Sequence, residues 1–573
     1  MTKPLIIVES YTKTKTISKY LDNKYNVICS FGHFDNLPKS ELGINTQTWK
    51  GTYVSTNTKI CSNIRKFVKD ANAVYIASDP DMEGEAIAYH IYCIIKTLLK
   101  NKPYYRVKFN EITKNAVVRA LTNPVQIDMD IVHAQETRRF IDRLVGYKLS
   151  PLLWRYFSNY TLSVGRVQTI ALYLAYKAFE ENQQHDIVPY WTMKGIFHST
   201  KSLDITIEFK LHYNNTIHRI AQDDIINMLD MFNFKDEFHI ASSQKQYSES
   251  PSPPYTTTSL QQDAYNKHSF GSKKTMQLAQ QLYENGFITY MRTDSVNISQ
   301  EFKNKISKYI IDNYGETYSH QRTFQNKISN SQEAHEAIRI TNCDTTCELS
   351  IDHVKLYRLI KKRTIASQMK NAEYIRVEAV ISYSHMKYTW HHSHSILIEP
   401  GYLILDDTRC KEETKEYIQL LNCLQPHKYI CEANVNSPVS LYNEITLIKK
   451  LEKKGIGRPS TYSSIVEKIM SKKYVVKGAL KKREIVLNDH TKSKKGVIQT
   501  QRKLYIGGTN KDMLIPTELG IKVIEYVSEN IDYLLDVKFT ADMENILDEI
   551  CNKTKTKESV LDTFYEENIL PYA

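Results

Sequence analysis

Two short apolar runs, each ending in acid, constrain this chain more than anything else in it. Leu5-Ile6-Ile7-Val8 stops at Glu9-Ser10. Ala73-Val74-Tyr75-Ile76-Ala77 stops at Asp79-Pro80-Asp81-Met82-Glu83-Gly84-Glu85, ahead of an apolar helix pattern over Ala86–Leu99. Unalternating apolar runs of this length read as strands buried on both faces, as in parallel sheets. Thr14–Leu21 reads as a helix and Val107-Lys-Phe-Asn-Glu111 as a third strand, so residues 1–120 are expected to form an α/β unit with a mostly parallel sheet. Ligands of such sheets bind beyond the carboxyl ends of the strands. Glu9, Asp79, Asp81 and Glu83 are therefore expected to converge on one edge. Like charges that close call for a cation, and an all-oxygen donor set without His or Cys favours Mg²⁺. Asp-x-Asp alone would read as a solvated loop capping the next helix. Glu9 and the adjoining Gly84-Glu85 tip the reading toward metal.

Periodicity organises the rest of the 573 residues, a length of roughly four domain-sized pieces. Residues 121–186 are helical in pattern. Residues 187–250 alternate with period two (Ile205, Ile207, Phe209, Leu211), and 251–371 turn helical again after a Ser, Pro and Thr-rich stretch. Strand patterns return over 372–440, and 441–573 read as mainly helical. The two strand-rich stretches are expected to be halves of one domain, with 251–371 inserted between them. Charge is concentrated: 441–500 holds 15 Lys or Arg against five acids, most of the chain's net +12. Such a patch favours a phosphate backbone as partner over a merely soluble face. Nine scattered Cys contain no C-x-x-C, which argues against zinc ribbons or a disulfide framework and for a reducing compartment. No apolar run reaches the ~18 residues of a membrane span. The N-terminus lacks a signal-peptide pattern, so an intracellular setting is expected, cytoplasm or nucleoid-like, with a nuclear or viral one compatible. Without a Gly-x4-Gly-Lys-Ser/Thr loop, no ATP motor is expected.

The stretch Gln280 to Ser295 carries a second kind of chemistry. Lys273–Glu284 reads as a helix, Gly286 as its left-handed stop and Phe287–Arg292 as a strand. Period two then puts Ile288, Tyr290 and Arg292 on one face. A Tyr can attack phosphorus covalently, and an Arg beside it can hold the phosphate oxygens. With 39 Tyr in the chain, position alone does not single out Tyr290.

Longer strings do. Ile7-Val8-Glu9-Ser10 with Lys13, followed by Asp79-Pro-Asp-Met-Glu83-Gly-Glu85-Ala-Ile-Ala, resembles the Toprim domain shared by topoisomerases, primases and some nucleases. Gly286-Phe-Ile-Thr-Tyr290-Met-Arg292-Thr-Asp-Ser295 resembles the active-site signature of type IA DNA topoisomerases, in which that Tyr is the nucleophile. Further segments match in the family's order, among them Ser30 to Pro38, Phe109 to Asn115, Gln135 to Tyr147, Leu162 to Gln168, Glu333 to Arg339, Gly455 to Tyr462 and Phe539 to Glu544. The wording of Tyr290–Ser295 and of Gly455–Tyr462 is similar to the bacterial topoisomerase I branch. No Cys set for C-terminal zinc ribbons follows Glu544. Tyr11 stands where Pro is usual, and Met82 where Arg is usual.

The resemblance implies a multidomain fold: an N-terminal Toprim α/β domain, then a toroidal core of α and β parts. In that core 187–250 and 372–440 form an arch, 251–371 a mobile helical domain, and 121–186 with 441–573 the DNA-binding remainder. It implies ATP-independent relaxation of negatively supercoiled DNA by a monomer, through a single-stranded segment. Tyr290 would be the nucleophile, Glu9 the general acid, and Lys13 and Arg292 stabilisers of charge. Mg²⁺ would sit on Glu9, Asp79, Asp81 and Glu83. DNA contacts are implied for His33, Arg138, Arg139, Asp142, Arg143, Tyr147, Trp154, Ser163, Val164, Gly165, Arg166, Val167, Gln168, Arg292, His335 and Thr461. Read from the residues alone, Arg138, Asp142 and Arg143 have the i, i+4, i+5 spacing by which Asp142 can orient an Arg toward phosphate. Pro459-Ser460-Thr461 reads first as a helix cap. A Toprim nuclease or primase, or a DNA-binding protein with a decayed site, would not need the pairing of Tyr290 with Arg292.

Overall fold

The computed structural model describes residues 2–200, 205–325, 336–406, 417, 420, 421, 423–507 and 511–572. His335 lies outside them. The N-terminal sheet has four parallel strands in the order Asn26–Cys29, Leu5–Val8, Val74–Ala77, Tyr104–Arg106. Its two central strands are the apolar runs that end in acid. Helices Tyr11–Tyr20, Thr58–Asp70 and Met82–Leu99 belong to the same domain. The third strand is Tyr104–Arg106 and not Val107–Glu111. The reason is Arg106, which is fully buried. Its guanidinium donates to the carbonyls of Ser78 (2.9 Å) and Asp79 (2.6 Å) and to Glu85. The chain pairs where that side chain can reach beneath the acidic turn. Val107 makes one last bond to Ile76 before the backbone leaves the sheet.

A nine-stranded antiparallel sheet occupies the segments expected as the arch. Its main order is His239–Glu249, Ala372–Ser382, Thr389–Glu399, Thr206–Tyr213, Pro189–Ser199, Leu424–Val435, Lys482–Ser493, Gly496–Gly507. The two strand-rich stretches thus interleave in one sheet. The strands flanking the helical insertion, His239–Glu249 and Ala372–Ser382, pair from His239↔Ser382 to Glu249↔Ala372, so the chain leaves and returns at neighbouring points. One departure from expectation lies in 441–573. Lys482–Gly507 is a β hairpin, not helix, and docks on the arch through Tyr429–Cys431 and His490–Lys492. Leu487 and Leu504 pack against the arch core. The density of Lys and Arg in this stretch hides that period-two pattern in the sequence.

Two hydrophobic cores fix the remaining geometry. Helices Thr257–His268, Ser272–Glu284, Gln300–Tyr314 and Ile351–Ala366 share one core with Ile6, Val8, Ile17 and Ile112 of the N-terminal domain. Helices Met129–Leu144, Arg166–Gln183, Tyr462–Ser471 and Val537–Cys551 share another with Leu37, Ile44 and Trp49. A π-helical turn, Val145–Leu149, joins Met129–Leu144 to Ser150–Phe157. Among the described residues no helix is long and apolar enough to cross a membrane, and the described cysteines are free.

Candidate active site

Tyr290 lies in an extended segment after helix Ser272–Glu284. Gly286 makes the turn at φ +79°, and a Cβ there would come 2.4 Å from the Ile112 carbonyl oxygen. The expected strand over Phe287–Arg292 does not form a ladder. Isolated bridges tie Ile288 to Ile340 and Thr289 to Glu111, and the Tyr290 N–H donates to Asn110 O at 2.7 Å. The backbone is clamped one residue at a time between two domains, so no partner strand is available to it.

The side chain is 2% exposed. Its hydroxyl donates to Asp81 Oδ2 at 2.6 Å, and Arg292 Nη1 reaches the same oxygen at 3.3 Å. The alternation that placed Tyr290 and Arg292 on one face brings both to one carboxylate. Asp81 is fixed by its own position: it is the N-cap of Met82–Leu99, and its Oδ1 accepts from Gly84 N at 2.8 Å. A Cβ at Gly84 would meet Asp79 O at 2.1 Å, so only Gly closes this turn. Burial, then the charges of Asp81 and Asp79, hold the Tyr290 phenol well above its ordinary value, with Arg292 working the other way. Such a phenol attacks only if its proton has an acceptor, and Asp81 is within reach.

Glu9 and Lys13 stand beside this pair. Lys13 is buried in an ion pair with Asp79. Glu9 Oε1 accepts the Asp79 N–H at 2.7 Å. Burial, then the charge on Asp79, push the Glu9 carboxyl up to about 8 despite the pull of Lys13. A carboxyl protonated at neutral pH is a proton donor. Glu83 behaves oppositely. Burial disfavours its charge, but His33 and Gln135 bond the same Oε2 at 3.1 and 3.0 Å. With Arg138 nearby they hold it at about 2.

The expected four-carboxylate metal set is therefore divided. Among the described residues no group of three or more His, Cys, Asp or Glu is drawn together as a metal cage. Each carboxylate already has a partner in the protein, which is why they do not converge. Glu9, Asp79 and Asp81 are still close enough for the two aspartates to raise the Glu9 carboxyl. A divalent cation there would require these carboxylates to exchange their present partners for the metal. Met82 packs partly buried against the helical core. Positive charge around the pocket beside it comes from Arg138, Arg292 and Arg458.

A run of cavities leads away from Tyr290. One of about 940 Å³ is lined by Glu9, Asp79 and Arg292. Arg292 also lines a small pocket with Arg138, Arg458 and Ser460. Arg138 in turn lines a groove of about 410 Å³ with Asp142, Ser163 to Gln168, Thr461 and Lys468. Several residues expected at DNA thus share one wall. The backbone there is held open: Ser163 N–H bonds the Tyr474 hydroxyl at 2.8 Å, and Val164 N–H bonds Ser150 Oγ at 3.2 Å. Gln168 Nε2 returns to Ser163 O. Thr461 begins helix Tyr462–Ser471 without capping it; its hydroxyl accepts instead from Arg458 N (3.0 Å) and Arg138 (3.4 Å).

Other expected DNA contacts are occupied as internal braces. Arg143 donates to the carbonyls of Pro38, Leu42 and Glu41, and Tyr147 to Ser40 O. This loop lacks ladder partners for its carbonyls and takes them from side chains. Arg139 bonds Asn36. Arg166 is 1% exposed, bonded to Glu544 at 2.8 Å and Thr540 O. Trp154 donates to Leu162 O at 2.7 Å. Two features escaped the sequence reading. One is Asp81 as the acceptor of the Tyr290 hydroxyl. The other is the cage of Arg138, Arg166 and Arg458 around Glu544. The i, i+4 pair Glu544 and Asp548 beside the apolar Met543 and Leu547 was the available signal for the cage.

A family model described as DNA topoisomerase matches residues 126–493, and a Toprim domain model matches residues 4–112. Among solved structures, full-length topoisomerase I from Thermotoga maritima is similar at 30% identity and a TM-score of 0.79. The match covers 98% of this chain and 89% of that one.

Proposed function

The chain belongs to the type IA family of DNA topoisomerases, and on that premise we propose that it cuts one DNA strand through Tyr290, passes the other strand and rejoins the break, relaxing negative supercoils without ATP. The observation that carries this reading is the bond from the Tyr290 hydroxyl to Asp81, with Arg292 on the same oxygen.

In the cutting step Tyr290 Oη bonds to phosphorus and the bond from phosphorus to the 3′ oxygen breaks. The phenolic proton passes to Asp81. The 3′ oxygen takes the proton held on Glu9. Rejoining runs the same transfers backward: the 3′ hydroxyl gives its proton to Glu9 as it bonds to phosphorus, and the Tyr290 oxygen leaves as it recovers its proton from Asp81. Arg292 offsets charge on the phosphate oxygens. Lys13, buried in its ion pair with Asp79, offsets charge beside Glu9 and so acts through the protein. Mg²⁺ would supply Lewis-acid charge at the phosphate, and Glu9, Asp79 and Asp81 would have to give up their present partners to hold it.

The groove of Arg138, Ser163 to Gln168, Thr461 and Lys468 takes a single strand, with Asp142 orienting Arg138. Tyr290 is buried, so the strand reaches it only when the helical insertion swings off the Toprim domain on the arms His239–Glu249 and Ala372–Ser382. The work of strand passage comes from supercoiling.

Incubation with a 3′-labelled single-stranded oligonucleotide, followed by denaturation, tests the nucleophile. The label should travel with the protein, because the tyrosine holds the 5′ phosphate of the downstream fragment. Tyr290→Phe should form no adduct. An adduct in that variant would reassign the nucleophile, and cutting with no adduct in the wild type would favour a Toprim nuclease.

A further inference from the structure

We propose that Tyr283 is a positioning residue for the chemistry at Tyr290: it braces the Tyr290 ring and covers the Lys13 ammonium when the helical insertion is docked on the Toprim domain. This rests on Tyr290 being the nucleophile. Tyr283 is the penultimate residue of helix Ser272–Glu284 and is fully buried. Its ring meets that of Tyr290 in an edge contact, with centroids 5.2 Å apart and planes at 70°. The Lys13 ammonium lies over the Tyr283 ring, 5.3 Å from its centre. The Tyr283 hydroxyl donates to the Phe109 carbonyl at 3.3 Å.

Core packing accounts for the burial of this side chain but not for its chemistry. A buried hydroxyl is a cost that an apolar residue avoids. Here the hydroxyl reaches Phe109 O, and the next carbonyl, Asn110 O, takes the Tyr290 N–H. Successive carbonyls of one Toprim segment thus hold both tyrosines, one by its side chain and one by its backbone. Lys13 is buried, with Asp79 as its ion-pair partner. An aromatic face attracts an ammonium most strongly where water is excluded. Tyr283 and Tyr290 come from the insertion, whereas Lys13, Phe109 and Asn110 come from the Toprim domain. Swinging the insertion away strips the ring from Lys13 and frees both tyrosines from their carbonyls. Docking restores the nucleophile's place and the charge setting together. Tyr283 cannot stand in for Tyr290, because its acceptor is a peptide carbonyl, which takes no proton, whereas Tyr290 has Asp81.

The test follows a single turnover on a single-stranded oligonucleotide, with binding, adduct formation and rejoining measured separately. Tyr283→Leu should slow cutting and rejoining alike, about tenfold. Oligonucleotide affinity should stay as in wild type, because the change disturbs reacting groups and not the groove. Tyr283→Phe keeps the ring and loses only the bond to Phe109, so it should slow both steps about threefold. Tyr357→Leu is the control. That buried tyrosine belongs to the same core, but its partners Phe287 and Thr345 lie within the insertion. It should lose comparable stability in urea and keep wild-type rates. Wild-type rates in Tyr283→Leu would overturn the proposal. So would an equal slowing in Tyr357→Leu, or a loss confined to binding. Adduct formation by wild type in those cases would leave Tyr290 standing as the nucleophile. A wild type that forms no adduct would overturn both.

Discussion

Glu544 keeps its negative charge where almost no water reaches, at 1% exposure. Burial penalises that charge, but Arg138, Arg166 and Arg458 outweigh it and hold the carboxyl at about 2, below its ordinary 4.5. A depressed carboxylate stabilises the fold above its unfolded value, and the benefit is lost as pH falls from about 4.5 toward 2. Glu544→Gln should cost about 3 kcal/mol at neutral pH. Denaturant unfolding at pH 7 and pH 3 should show the gap between wild type and variant shrinking in acid. A gap that stays constant would mean the cage is not electrostatic. Residues differ in how far the sequence disclosed them. The shared face of Tyr290 and Arg292 was legible because two-residue alternation survives in an extended segment even without a ladder, whereas the choice of Tyr290 among the other tyrosines came from the resemblance of its string. Arg143 and Arg166 were not, because a guanidinium that serves phosphate and one that braces a carbonyl or carboxylate look alike in sequence.

Elements were most legible where their apolar pattern was continuous. Leu5–Val8 and Val74–Ala77 came through because strands buried on both faces need no alternation. Tyr104–Arg106 did not, because a buried Arg ends it and its partners are carbonyls, which no sequence pattern marks. Gly286 shows what local geometry adds. Its φ is left-handed, and a methyl group on its Cα would sit 2.4 Å from the Ile112 carbonyl oxygen. The residue is thus both a helix stop and a contact between domains. Gly286→Ala should destabilise the protein by about 1–3 kcal/mol and lower adduct formation, since Tyr290 lies four residues on. Thermal unfolding together with the oligonucleotide assay checks this; a variant as stable and as active as wild type would show that the segment adjusts freely.

At the scale of the whole molecule, contacts run in a closed circuit. The Toprim sheet shares a core with the helical insertion that carries Tyr290. The insertion continues into the arch through paired strands, and the arch receives the hairpin Lys482–Gly507 from the helical core. That core packs on Leu37, Ile44 and Trp49 of the first domain. Arg339 to Glu111 at 2.9 Å and Thr16 to Glu284 O at 3.1 Å close the seam beside Tyr290. Interleaving of distant segments in one sheet could be anticipated from their shared alternation. The hairpin's place on the arch could not, because register between remote strands is set by packing. The basic run 441–500 is likewise dispersed, over the helix Glu444–Lys453, the groove at Lys468 and this hairpin. The most direct measurement is gel analysis of negatively supercoiled plasmid incubated with Mg²⁺ and no ATP. Wild type should yield a ladder of closed topoisomers of reduced negative supercoiling, and Tyr290→Phe should leave the plasmid unchanged. Relaxation by Tyr290→Phe at the wild-type rate, or a wild type that gives only nicked and linear DNA, would contradict cutting and rejoining through Tyr290.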